Sequence, residues 1–220
     1  MKPYCTAALL GIALFFLPYC DYTKGNNSTS LKLEADSLKT IDSLNKVLLL
    51  SKAEEALQFC KDYNYNEQIC LLINMNVHSG KHRFYVWDFN KRAAIDSGLV
   101  SHGCGTAPWS GEGSADKPIF SNVPDSHLSS LGKYKIGERA ISQWGVRIKY
   151  NLHGLEATNN NALKRFIVFH SWESVGDIAT HPIGSPESWG CPAVSNLFFL
   201  RVDTILQAAD QPVLMWIFNE

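Results

Sequence analysis

KRFIVFHS, residues 164–171, sets four apolar residues between a basic pair and a histidine–serine end. The run is too short for an ordinary helix and is aromatic and β-branched. It therefore reads as a buried-type strand that delivers His170 at its tip. Similar runs lie on either side. QICLLINMNV (68–77) and RFYVWDFN (83–90) are separated by the turn HSGK, and AAIDSGLVS (93–101) follows a second polar corner. GVRIKYNL (145–152) and PVLMWIF (212–218) read as further strands. Between them NLFFLRVDTILQAAD (196–210) has helical spacing, with Ser195 or Asn196 as its cap. Near the other end, Leu31, Leu38, Ile41, Leu44 and Leu48 recur at steps of three, four or seven. Ala53, Ala56, Leu57 and Cys60 mark a second helical segment before DYNYN (62–66) breaks the pattern. The expectation is a mainly β (α+β) domain with helices at each end.

The balance of 20 Lys+Arg against 21 Asp+Glu, net charge −1, provides no basic surface for nucleic acid. Residues 1–20 read as an export signal: Lys2 precedes the apolar run AALLGIALFFL (7–17), which is too short to span a bilayer. Cys20 follows, where a bacterial lipoprotein carries its acylated first residue and thereby a membrane anchor. Tyr19 is bulky where that processing prefers a small side chain, so both readings stand. The expected organisation is export signal 1–20, tether and helical segment 21–63 with the polar stretch Gly25–Ser30 as tether, and a main domain 64–220, in the exported cell envelope. Of the six cysteines, at 5, 20, 60, 70, 104 and 191, Cys60 and Cys70 are the local candidates for a disulfide in an exporting compartment. That pairing would leave Cys104 and Cys191 as thiols.

Both of those thiols follow a glycine, in SHGCG (101–105) and SWGCP (188–192). A cysteine nucleophile needs a base, donors for an oxyanion and an open position. Cys191 has His170 upstream at a strand end, 191 − 170 = 21 residues away, enough for a loop and a return to the same edge. Pro192 lacks an N–H, so the amides of Gly190 and Cys191 are the local donors. Cys104 has His78, His82 and His102 upstream, but the first two flank a turn and Gly103 and Gly105 disfavour a shared strand face. It reads as a small buried residue. The glycine-rich stretch 107–118 has the length and composition of a functional loop.

FSNVPDSHLSSLGKY (120–134), HGLE (153–156), NALKRFIVFHSWESV (161–175) and SWGCPAVSN (188–196), in this order, resemble the murein L,D-transpeptidase catalytic-domain family, the YkuD-like group, in its Ser-x-Gly-Cys-Pro-x-Val branch. The resemblance covers roughly residues 65–219. It implies an L,D-transpeptidase-like β-sandwich with flanking helices, a cysteine nucleophile and no metal or organic cofactor. The implied partner is a peptidoglycan stem peptide, cut between its third and fourth residues with release of D-alanine, the acyl group passing to an amine. By position, Cys191 is the nucleophile, His170 its base, Ser171 the residue whose carbonyl orients the imidazole, and Gly190 with Cys191 the oxyanion amides. Trp189 stands where the wider family has histidine. An indole stacks on substrate but relays no proton at neutral pH, which keeps hydrolysis by water, an L,D-carboxypeptidase, open beside transfer. Ser188, Trp189, His153 and Asn122 are the expected groove residues. Two other enzyme readings fit less well. A papain-like peptidase has its cysteine before its histidine, and zinc ligation by His78 and His82 would need a helix where a turn is read. A non-catalytic murein-binding protein is the remaining alternative, opposed by the retention of both His170 and Cys191.

Overall fold

A computed structural model describes residues 26–108 and 117–220, with side chains from residue 43 onward. The export signal, Cys5 and Cys20 and most of the loop 107–118 lie outside the described residues. The chain divides into two units, Met1–Leu44 and Asn45–Glu220. In the first, residues 26–44 are helical. They belong to α1 (Asn26–Tyr63), a single 38-residue helix that replaces the expected tether and its two helical segments. No glycine or proline interrupts residues 26–63, so nothing in the backbone chemistry breaks the helix there.

The second unit begins at Asn45, well before the expected boundary at 63/64, because the later turns of α1 carry a stripe of Leu49, Ala53, Ala56 and Cys60 that is buried in the core. The stripe recurs at steps of four and three, the spacing of one helix face. It packs on β1 (Ile69–Asn74), β2 (Phe84–Asp88) and β8 (Leu214–Phe218) through Cys70, Leu72, Trp87, Leu214 and Trp216. The alternate residues Leu71, Ile73, Phe84, Met215 and Ile217 face the other side. There they meet Phe198, Phe199 and Val202 of α2 (Asn196–Gln207). A strand covered on both faces must be apolar at successive positions, which explains why ICLLIN and LMWIF read as unbroken apolar runs. Among the described residues no helix is long and apolar enough to cross a membrane.

Eight strands form one hydrogen-bonded sheet in the order β3-β2-β1-β8-β4-β5-β6-β7. The remaining strands are β3 (Ala93–Gly98), β4 (Gly132–Ile141), β5 (Ile148–Gly154), β6 (Val168–Ser171) and β7 (Ala193–Val194). β1 pairs parallel with β8 and β6 with β7; the other pairings are antiparallel. The mainly β class with helices at both ends holds. Two strands escaped the sequence reading. β4 buries Gly132, Tyr134 and Ile136 at alternate positions, but a register shift between Ile136 and Arg139 ends the alternation. β7 is two residues long and exists only through its partner.

The cysteines depart from expectation. Cys60 and Cys70 are free, fully buried thiols in the core beneath α1, and Cys104 elsewhere is a free, buried thiol as well. Burial pushes the Cys60 thiol up to about 12 and Cys70 well above the usual range. Both act as small apolar side chains filling the core rather than as a bridge.

Candidate active site

β6 and β7 bring His170 and the segment carrying Cys191 together. His170 pairs with Ala193 across the parallel ladder, and Ala193 lies two residues beyond Cys191. Phe169 enters the α2-side core, so strand alternation sends Val168 and His170 to the opposite face. The expected strand is shorter than KRFIVFHS because Phe166 adopts φ +56, a left-handed conformation that a bulky side chain rarely takes. This turn leaves the Phe166 ring 84% exposed while its carbonyl faces the Cys191 thiol: Cys191 Sγ lies 3.7 Å from Phe166 O and 3.4 Å from the Val168 N–H.

His170 Nδ1 is 2.8 Å from the carbonyl of Ser171. A carbonyl only accepts, so Nδ1 carries the hydrogen and Nε2 of the neutral ring keeps its lone pair, the tautomer a base requires. The Ser171 hydroxyl is used separately: it accepts the Val146 N–H at 2.9 Å and holds the turn that presents Trp144. Burial pushes the Cys191 thiol above its ordinary range, partly offset by the Val168 N–H and the positive charges of Arg165 and Lys149. Burial also lowers the His170 imidazole, against the raising effect of the Ser171 carbonyl. The resting pair is therefore thiol and neutral imidazole.

Cys191 and His170 share a cavity of about 340 Å³ with Asp125, His127, Trp144, Arg165, Phe166, Trp172, Ser188 and Trp189. Its walls are aromatic. Trp189, 59% exposed, stacks on His127 with centroids 4.8 Å apart and planes at 15°, and Trp144 meets Trp172 edge-on at 6.5 Å. Arg165 is held by four neutral acceptors, Ser121 O, Ser130 Oγ, Ser126 Oγ and Leu128 O, so it ties residues 121–130 to the site while keeping a full positive charge beside the thiol.

A model of the L,D-transpeptidase catalytic domain matches residues 42–216. The chain belongs to that family. Among solved structures, two of the helical cell shape determining protein Pgp2 from Campylobacter jejuni are similar. The K307A mutant has TM-score 0.45 and 12% identity, covering 78% of this chain and 56% of that one. The unsubstituted protein has TM-score 0.42 and 12% identity, covering 80% and 56%. An L,D-transpeptidase (residues 123–326) from Xylanimonas cellulosilytica DSM 15894 has TM-score 0.38 and 10% identity, covering 73% and 68%. This chain thus spans little more than half the length of the Pgp2 chains it matches. No curated protein matches it.

Within this L,D-transpeptidase domain several expected groove residues have other partners. The Ser188 hydroxyl donates to Cys191 O at 2.7 Å and accepts the Gly190 N–H at 3.1 Å, closing the loop that carries Cys191 on itself. That bond also engages the Gly190 amide, so the expected pair of oxyanion donors is reduced to the Cys191 N–H in this geometry. Asn122 joins Ala157 O, Asn160 and Asn161 in a loop-to-turn tie and does not line the cavity. His153 lies on the same face of β5 as Lys149, the partner of His170, but four residues farther on. At about 3.3 Å per residue that is about 13 Å away. Its ring lies against Gly137 of β4, opposite Glu138 Oε2 at 3.6 Å. Conversely, Arg165, His127, Trp144 and Trp172 line the site without having been singled out from sequence. For Arg165 the signal was present: a basic residue beside a strand that reads as wholly buried.

Gly190 has φ +100, and a Cβ there would lie 2.6 Å from Leu128 O. Gly190→Ala is expected to destabilise the domain by about 1–3 kcal/mol, read by denaturant unfolding. It also displaces Cys191, so thiol alkylation falls along with stability; unchanged stability would mean that the loop relaxes freely.

Proposed function

We propose that this domain is a peptidoglycan-modifying cysteine acyltransferase, a murein L,D-transpeptidase acting on stem peptides. One observation carries the reading: Cys191 Sγ and the His170 imidazole, with its base tautomer selected by the Ser171 carbonyl, open into the same aromatic-walled cavity. His170 Nε2 takes the thiol proton as Sγ bonds to the carbonyl carbon of the stem amide. The Cys191 N–H is the loop donor for the oxyanion. Collapse breaks the C–N bond, and His170 returns its proton to the leaving D-alanine amine. The thioester then passes its acyl group to an amine, and that amine's proton leaves through His170. Supporting this is the family membership of residues 42–216. Arg165 and Lys149 add positive charge where negative charge develops on sulfur and oxygen.

Trp189 favours a second outcome with the same thioester. It stands in the nucleophile motif and stacks on His127 at the cavity mouth, narrowing the approach of a second stem; water then accepts the acyl group, giving an L,D-carboxypeptidase. The site of action proposed is the exported cell envelope, with Cys20 as a point of lipid attachment. Incubating the protein with a purified tetrapeptide-stem muropeptide and reading the products by mass spectrometry tests the proposed chemistry. Cross-linked dimer supports transfer and trimmed tripeptide monomer supports hydrolysis. Absence of D-alanine release by the folded protein overturns the enzymatic reading in favour of murein binding.

A further inference from the structure

SHGCG (101–105), the second Gly-Cys stretch, has a place in the structure unrelated to nucleophilic attack. His102 is fully buried, as are Arg83 and Glu187. Arg83 Nη2 lies 2.8 Å from His102 Nδ1, and His102 Nε2 lies 3.4 Å from Glu187 Oε1. A guanidinium only donates, so Nδ1 must accept, and the ring hydrogen resides on Nε2, directed at the carboxylate. A positive and a negative side chain are therefore joined through a neutral imidazole. Arg83 is further fixed by Val77 O at 3.1 Å and Val100 O at 2.9 Å.

The carboxylate end of this chain sits immediately before the nucleophile loop, four residues from Cys191. The histidine end is bonded to the same loop by its backbone: Ser188 N donates to His102 O, and Cys104 N donates to Ser188 O, each at 2.8 Å. On the far side of Cys191, Ser101 N donates to Ala193 O at 2.8 Å. Residues 101–104 thus grip the loop before and after the nucleophile. Gly103 is needed for close approach, since a Cβ there would lie 2.2 Å from His127 O.

Buried ionic chains of this kind add little net stability compared with apolar packing of similar volume, because both charges must be desolvated. Packing alone therefore gives no reason for this one. Its placement at the root of the nucleophile loop does. We infer that Arg83, His102 and Glu187 form a buried positioning relay that sets where the loop carries Cys191. The inference rests on the proposed cysteine chemistry, and it concerns how the thiol is aimed rather than what it attacks.

The test compares wild type, His102→Leu and His102→Gln. Leucine fills the space without polar atoms, whereas a glutamine amide accepts from Arg83 and donates to Glu187 as the neutral imidazole does. Three quantities are read: folding by circular dichroism and thermal midpoint, kcat and KM on the tetrapeptide-stem muropeptide, and the iodoacetamide alkylation rate of Cys191 resolved by mass spectrometry. His102→Leu is expected to remain folded and to lose about a hundredfold in kcat, the cost of a misplacement of about 1 Å, with KM little changed and alkylation slowed. His102→Gln recovers most of both. The relay is overturned if His102→Leu matches wild type in kcat and alkylation, if its losses are not recovered by His102→Gln, or if both variants unfold, which would make the network a folding element. A wild type without turnover fails the proposed function separately, and the alkylation comparison then still decides the relay.

Discussion

Cys191→Ala is expected to lower D-alanine release from a tetrapeptide-stem muropeptide by at least about 10⁴-fold, the scale seen when a covalent nucleophile is removed. Cys104→Ala is expected to leave it within about twofold, as befits a small packing residue. The contrast is informative because both cysteines follow glycine and both lie near the nucleophile loop. Cys104 Sγ is buried and lies 3.8 Å from the carbonyl of Gly105. Cys191 Sγ opens into the cavity beside His170. Burial pushes the Cys104 thiol up as well, with the Glu187 carboxylate adding to the effect. Its amide bond to Ser188 is a backbone contact that alanine retains. Equal losses in the two variants would defeat the assignment of the nucleophile, and so would survival of release in Cys191→Ala.

The second large effect belongs to His170. His170→Ala is expected to lower turnover by about 10²–10⁴-fold, the range for a positioned base, and the pH behaviour of the pair says how that base works. Cys191 is pushed up by burial and His170 is pushed down by burial. The thiol thus holds its proton to higher pH than a free cysteine, and the imidazole gives up its proton at lower pH than a free histidine. Across neutrality both are uncharged, and the proton moves only as the substrate is attacked. Alkylation of Cys191 in the resting protein should therefore climb about tenfold per pH unit through the neutral range, following the thiolate fraction. A plateau between about pH 5 and 7, the mark of a standing thiolate–imidazolium pair, would defeat this reading.

The same shift has a sign in stability. With a folded pKa below the unfolded one, His170 takes up a proton more readily in the unfolded chain, so acid favours unfolding. Its contribution is complete above about pH 6.5, the ordinary histidine value, and is lost as pH falls toward the lower folded value. His170→Gln removes that part of the slope, a difference that denaturant titration at pH 7 and pH 5 measures directly.

Much of the architecture was legible in local pattern. Apolar runs such as ICLLIN and LMWIF predicted strands because a two-faced sheet favours apolar residues at successive positions. The helix α2 (Asn196–Gln207) was visible from its spacing, although it ends three residues before the expected 210, and from Ser195, which accepts the Phe198 N–H at its start. Errors arose where local signals compete. Gly25–Ser30 has turn-like composition, yet α1 begins at Asn26, because polar residues do not break a helix in the way that glycine inside it or proline does. Cys60 and Cys70 are close in sequence and have the spacing of a bridge, but each is an apolar plug in the core beneath α1.

Side-chain period and loop length are written along the chain and act over short separations, so most strands, the helix after Cys191 and the mainly β class could be read from them, and Cys191 and His170 emerged as candidates for one site. Tertiary structure alone decided what surrounds that pair. It brought Arg165, His127, Trp144 and Trp172 to one cavity, turned the Ser188 hydroxyl into the loop's own tie, and moved His153 and Asn122 out of the groove. It also set SHGCG against the loop of Cys191, through a bond from the Ser188 hydroxyl to His102 O that spans 86 positions. Contacts of that kind depend on where the backbone returns in space. Nothing in the identity or spacing of neighbouring residues encodes that return until the sheet has been assembled.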